Sequence, residues 1–224
     1  GYVLEAKTAE KAKRVDDAIA AYKKALERKA GAAALNPLVA LLVRENRDDE
    51  LRRLRADYNG DSEFDRLAAV QALAAGNKGR AEELAEQAVL GDPKGLDVRL
   101  WRAEGLKSLG KPEEAEKALR SAIAQQPSVP APWLSLLMLQ LSQKKTADAV
   151  ATVEQIRSQV KSDTKELLMA QCYRAVGNTQ KADESYREAL KKSPNDPSVS
   201  ASAVSFYEQV GRREEAEALL RALR

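Results

Sequence analysis

The chain has 224 residues with a net charge of +3 at neutral pH, 44% hydrophobic and 32% charged residues, and only 4% aromatics. That is enough apolar material for a core built from Ala, Leu and Val, and the mixed charge shows none of the concentrated basic stripes of a dedicated nucleic-acid binder. Histidine is absent and Cys172 is the one cysteine, which removes His-dependent catalysis, zinc sites of ordinary type and internal disulfides.

In chain order, Ala18, Tyr22 and Ala25 mark the second helix of a first unit over about residues 1–30. Residues 31–61 read as a shorter unit. Its first helix carries Leu38, Val39, Leu41, Leu42 and Val43, with Asn36-Pro37 as cap and first-turn proline. Its second, with Leu51 and Leu54, ends at Asn59-Gly60. From residue 62 onward a period takes over. Gly76, Gly110, Gly177 and Gly211 each close a helical run, with spacings of 34, 67 and 34 and Lys144 in the middle slot. Ala81, Ala115, Ala149, Ala182 and Ala216 follow at 34, 34, 33 and 34. Pro93, Pro127 and Pro194 form a third series, with Lys161 near the missing slot. Each residue type has a physical role at its place. Glycine takes a left-handed backbone at a helix end, alanine admits a close second helix, and proline ends it. The repeats are therefore placed at 62–95, 96–129, 130–162, 163–196 and 197–224, after degenerate units over 1–61.

Met169-Ala170, Tyr173, Gly177, Ala182, Tyr186, Ala189 and Pro194, together with Trp133, Leu136 and Leu137, resemble the tetratricopeptide repeat over essentially the whole chain, least over 31–61. The resemblance implies an all-α, right-handed α-solenoid of stacked helical hairpins whose first helices line a concave face that holds a protein or peptide partner. On that register the candidate partner-binding residues are Arg66, Val70, Leu100, Trp101, Glu104, Leu134, Met138, Leu167, Gln171 and Arg174, with Leu67, Leu141, Leu168, Ala201 and Ser205 beside them. Met138 joins the set although its helix is apolar on nearly every face, which favours a core position. Family members that hold chaperone tails need a Lys/Asn/Arg clamp. The matching positions here include Arg66, Val70, Asp97, Trp101, Ala131 and Ser135, so no tight binding of such tails is expected.

No phosphate loop or metal-ligand set emerges, and no catalytic residues, metal or cofactor are expected. Scattered Ser-x-x-Lys matches at Ser108, Ser142 and Ser162 lack partner motifs, and the pairs Glu82-Glu83, Glu113-Glu114 and Glu214-Glu215 read as acids at helix N-termini. The basic pairs Lys144-Lys145, Lys191-Lys192 and Arg212-Arg213 read as surface charges complementing helix dipoles. Cys172 reads as a small core residue. The expected function is a non-catalytic interaction scaffold or adaptor, with Ala-, Arg- and Glu-rich usage suggesting a bacterial source. The competing reading is a regulatory or substrate-docking region of a larger enzyme or of an export or assembly protein. RNA binding by a related helical repeat is disfavoured by the apolar face and by Asp97 and Glu104. No run is long enough for membrane insertion, and the compartment, cytoplasmic or periplasmic, is open. Gly1 in place of Met reads as a fragment or processed chain. Leu219, Leu220 and Leu223 at the last helix point to a continuing chain or to end-to-end self-association.

Overall fold

In the computed structural model, residues 1–58 and 62–222 are described, without the side chain of Ala222. Asn59-Gly60 and Leu223 lie outside these residues. Among the described residues there are fourteen α-helices and no strand. They run α1 (Tyr2–Lys11), α2 (Val15–Glu27), α3 (Ala32–Arg44), α4 (Asp48–Asp57), α5 (Ser62–Ala74), α6 (Lys78–Gly91), α7 (Leu96–Ser108), α8 (Pro112–Gln125), α9 (Pro130–Ser142), α10 (Thr146–Gln159), α11 (Lys165–Ala175), α12 (Thr179–Lys192), α13 (Pro197–Gln209) and α14 (Arg213–Ala222). This is the helical-hairpin solenoid class. The chain forms two compact units, Gly1–Lys111 and Pro112–Arg224, which part between α7 and α8.

The reason first helices stop and second helices begin is the same throughout. The second residue past each first helix takes a left-handed conformation, at Lys13, Asn46, Gly76, Gly110, Lys144, Gly177 and Gly211. At Gly177 the amide donates to the Arg174 carbonyl at 3.0 Å and that of Asn178 to the Tyr173 carbonyl at 2.9 Å. This paired closure satisfies carbonyls the helix would otherwise leave open. Lys144 occupies the glycine slot with φ +59°, and the same two bonds form there, its amide donating to the Leu141 carbonyl and that of Lys145 to the Gln140 carbonyl. The hydrogen bonds hold the turn even where the side chain disfavours it. Asn77 and Asn178 cap α6 and α12, their side chains accepting from the amides of Arg80 and Lys181 at 3.1 Å.

Four residues past this closing pair's second member sits the small residue of the second helix. Ala18, Ala81, Ala115, Ala149, Ala182 and Ala216 are all buried there, and in α4 the place is taken by Leu51, also buried. Without a side chain beyond Cβ, the second helix lies close against the first; the α3–α4 contact is sparser than that of α11–α12. In the N-terminal unit α3 is the central helix, packed on α2, α4 and α5, with Leu38, Val39, Leu41 and Leu42 fully buried.

Three sequence readings are corrected here. Helix α3 starts at Ala32, so Asn36 and Pro37 lie inside it rather than at its cap. The run Ala32–Leu35 is strongly helix-forming and Gly31, at φ +56°, supplies the entry. Glu82 and Glu83 lie beyond the first turn of α6 and serve ion pairs instead. Lys145 and Arg212 sit at helix N-termini, where the dipole disfavours cations; carboxylates offset this. Lys145 pairs with Glu116 at 3.2 Å, and Arg212 with Asp183 at 2.8 Å and Glu215 at 2.7 Å.

These pairs belong to a recurring joint between successive hairpins. Lys111 reaches Glu82 at 2.6 Å, Lys145 reaches Glu116 and Arg212 reaches Asp183, each base standing 29 residues after its acid. Where the cap is asparagine in α6 and α12, the base sits one turn later, as Arg80 to Asp48 at 2.7 Å and Lys181 to Glu154 at 2.8 Å. Arg47 makes the equivalent pair with Asp16.

Candidate functional site

The first helices expose what the hairpin cores leave over. In α5 the buried stripe is Phe64, Ala68, Ala69 and Ala72, a helical spacing that turns Val70 and Leu73 outward, 48% and 39% exposed. One helix on, Trp101 of α7 is half-buried and packs against the core of the N-terminal unit. The Arg66 guanidinium lies 5.3 Å from the centre of its ring. The same guanidinium bonds Glu63 at 2.9 Å within α5 and Asp97 at 3.2 Å on α7. Arg66 thus ties α5 to α7 and covers one face of Trp101 by a cation–π contact. Leu100 is half-buried, and Glu104 is exposed with Lys107 at 2.6 Å. The structure brings Arg66, Asp97 and Trp101 together, with Val70 one turn along α5 from Arg66.

In the C-terminal unit Met138 of α9 is 61% exposed, which corrects the core position favoured by its apolar helix. Trp133, Leu136, Leu137, Leu139 and Gln140 take the buried faces instead. The indole N–H of Trp133 donates to the Pro127 carbonyl at 2.9 Å, anchoring the start of α9. Leu134 and Leu141 flank Met138 half-buried. On α11, Leu167 and Arg174 are half-buried and Gln171 is exposed, its side-chain N–H₂ donating to Ser202 Oγ on α13 at 3.4 Å. Leu168, grouped with the surface residues from its place in the repeat, is 7% exposed and belongs to the core. Ala201 and Ser205 of α13 are exposed. The C-terminal unit therefore presents an apolar patch on α9 that gives way to small polar residues on α13.

Leu73 was missed by the register, which follows one stripe per helix. It stands one turn from Val70 and its exposure follows from the same arithmetic that buries Ala69 and Ala72. No chemistry gathers around these residues. Among the described residues no cluster of three or more metal-ligating side chains occurs, and no helix is long and apolar enough to cross a membrane. Burial pushes the Cys172 thiol up to about 11, so it is almost wholly protonated and unreactive at neutral pH.

Models of the tetratricopeptide repeat match residues 1–31, 72–137 and 125–224. Among solved structures the chain is similar to MamA, at 16% identity over 69% of this chain and 91% of that one, with a TM-score of 0.46. A MamA from Desulfovibrio magneticus gives 12% identity, 72% and 92% coverage and a TM-score of 0.46. PilW, a widely conserved type IV pilus biogenesis factor, gives 18% identity, 72% and 76% coverage and 0.47. Likeness at this level carries no argument about function. No curated protein matches the chain in sequence.

Proposed function

For a chain that belongs to the tetratricopeptide-repeat family, we propose a non-catalytic interaction scaffold that takes an extended peptide or an amphipathic helix on the exposed faces of its first helices. The family supports protein interaction in general. The finer reading is carried by one observation: Val70, Leu73 and Met138, three of the large apolar side chains left exposed, lie on first helices. Solvent-facing apolar groups of this kind contribute to binding when a partner covers them.

We infer two contact patches, each within its own unit. One is Val70 and Leu73 on α5 with Arg66, Leu100, Trp101 and Glu104. Trp101, held rigidly under Arg66, offers a preorganised edge for an apolar side chain, and Glu104 offers a carboxylate to a basic one. The other is Met138 with Leu134 and Leu167, where a flexible thioether adapts to several apolar shapes, and Gln171 and Arg174 supply polar contacts beside it. The repeats 62–95, 96–129, 130–162, 163–196 and 197–224 are the units we propose for dissecting this scaffold.

The test is affinity capture of partners from bacterial lysate with the wild-type chain and with a Trp101→Ala/Leu134→Ala variant of unchanged helicity. Loss of a captured protein with the variant supports the reading. Equal capture by both contradicts it.

A further inference from the structure

We propose that the first-helix face of the C-terminal unit takes an internal apolar segment of a partner that carries one side-chain carboxylate, an Asp or Glu, bonded to Arg174. This rests on the reading that partners dock on first helices, and it names the chemistry of one of them.

The closing residues Lys144, Gly177 and Gly211, spaced by 33 and then 34, set the register of this face. Leu134, Leu167 and Ala201 hold one place in α9, α11 and α13. Met138, Gln171 and Ser205 hold the next, one turn on, and Leu141, Arg174 and Glu208 hold the third. The first two rows carry no charge, and α9 has none along its whole length. A segment that covers them meets apolar and small polar side chains alone. Charge enters only at the third row.

Arg174 there is half-buried and, among the described residues, bonds no carboxylate and no carbonyl. Every other half-buried arginine among them has such a partner. Arg66, Arg80 and Arg212 reach carboxylates on a neighbouring hairpin, and Arg99 reaches the Pro93 carbonyl. The dipole of α11 favours a cation in its last turn, but the carbonyls at that end are already taken. Those of Cys172, Tyr173 and Arg174 accept the amides of Val176, Asn178 and Gly177. The guanidinium therefore keeps its planar pair of N–H donors with part of its water removed, and a carboxylate meets both donors at once. Glu208, at the same place in α13, is exposed and makes no bond to Arg174. It repels a second acid, which holds the segment to one carboxylate. A chain-terminal carboxylate fits less well. The side-chain amide of Gln171 already donates to Ser202 at 3.4 Å, and the small Ala201 and Ser205 leave room for the segment to run on past α11.

The test is selection on the full chain from a display library of random short segments held between constant flanks, so that no free terminus is offered. The best binder is then made with blocked ends and its Kd measured by fluorescence anisotropy. We expect apolar residues with one Asp or Glu. Changing that acid to its amide should weaken binding to the wild-type chain about tenfold, and should weaken it no further on an Arg174→Gln chain. Glu208→Gln should leave binding equal or tighter. Equal loss on both chains overturns the proposal, as do basic binders weakened by Glu208→Gln, or binding that appears only once the C-terminus is unblocked. Met138→Glu, with helicity unchanged by circular dichroism, separates the two readings. If it leaves binding intact, or if the library yields no binder, docking on first helices falls and this assignment with it. If it abolishes binding while Arg174 shows no coupling to the acid, only the assignment to Arg174 falls.

Discussion

At the joint between α12 and α13, Tyr186 is fully buried and its ring stacks on Phe206, with 4.9 Å between centroids. At the same register of α4 the chain carries Arg55. Its guanidinium makes two 2.6 Å bonds to the carboxylate of Asp65 on α5, which is fully buried. One joint excludes water with two aromatic rings. The other buries a charge and answers it with a bidentate partner. The first is stabilised by apolar area and tolerates change on either side in proportion to the area lost. The second is stable only as a pair, because the attraction largely offsets a desolvation cost that either group alone would bear in full. The N-terminal region departs from the repeat at this place, and here a single substitution should tell the two chemistries apart.

The largest effect expected is from Arg55→Met, which leaves Asp65 buried without its main countercharge and should cost about 3–5 kcal/mol in chemical denaturation. Adding Asp65→Leu should recover most of that loss, turning the α4–α5 joint into an apolar one like α12–α13. Next comes Ala182→Trp. Ala182 is fully buried where α12 meets α11, and the indole should cost about 3 kcal/mol, the upper end of overpacking. Ala115→Trp should behave alike in α8. No loss of stability in either would break the equivalence of the hairpins. Smaller still is Lys144→Gly, which should stabilise by about 0.5–1 kcal/mol, because the left-handed backbone that lysine strains to adopt is free to glycine. A thermal melt that moves down would show that the Lys144 side chain contributes something the backbone bonds do not.

Acid gives the mildest perturbation. Hydrogen bonding by Arg120 and Lys145 holds the Glu116 carboxyl below its usual range despite burial, and Lys181 does the same for Glu154. A carboxyl lowered on folding contributes stability above its unfolded value, and that contribution fades as pH falls through the lowered one. Stability should therefore decline below about pH 4, and Glu116→Gln should flatten part of that decline. An unchanged pH profile in the variant would remove Glu116 from the account.

The sequence makes the hairpins legible because their punctuation is chemical. Glycines with positive φ stand where helices stop, and alanines are buried where helices approach. Lys144 was legible as a slot in a series though its residue type argues against the turn; the two backbone bonds decide. Asn36-Pro37 misled because a local cap signal competes with the helix-forming run Ala32–Leu35, and the run wins. Met138 could not be placed from its helix alone. When all faces of α9 are apolar, the one left uncovered is set by neighbours far away in sequence. The ion-pair joints were illegible for a related reason: partners 29 residues apart mean nothing until the helix register is known. At the candidate surfaces, the sequence pointed to the helices; which side chains face solvent, Leu73 included and Leu168 not, emerged from packing.

The central claim, that partners bind on the first helices, is tested most directly by capturing partners with three forms of the chain: wild type, Val70→Glu/Met138→Glu, and Leu90→Glu. Leu90 is 71% exposed on the second helix α6, so it controls for any loss of surface apolarity. The account predicts that the first-helix variant loses the partner while the Leu90 variant keeps it. Equal retention by all three, or loss with Leu90→Glu alone, would contradict it.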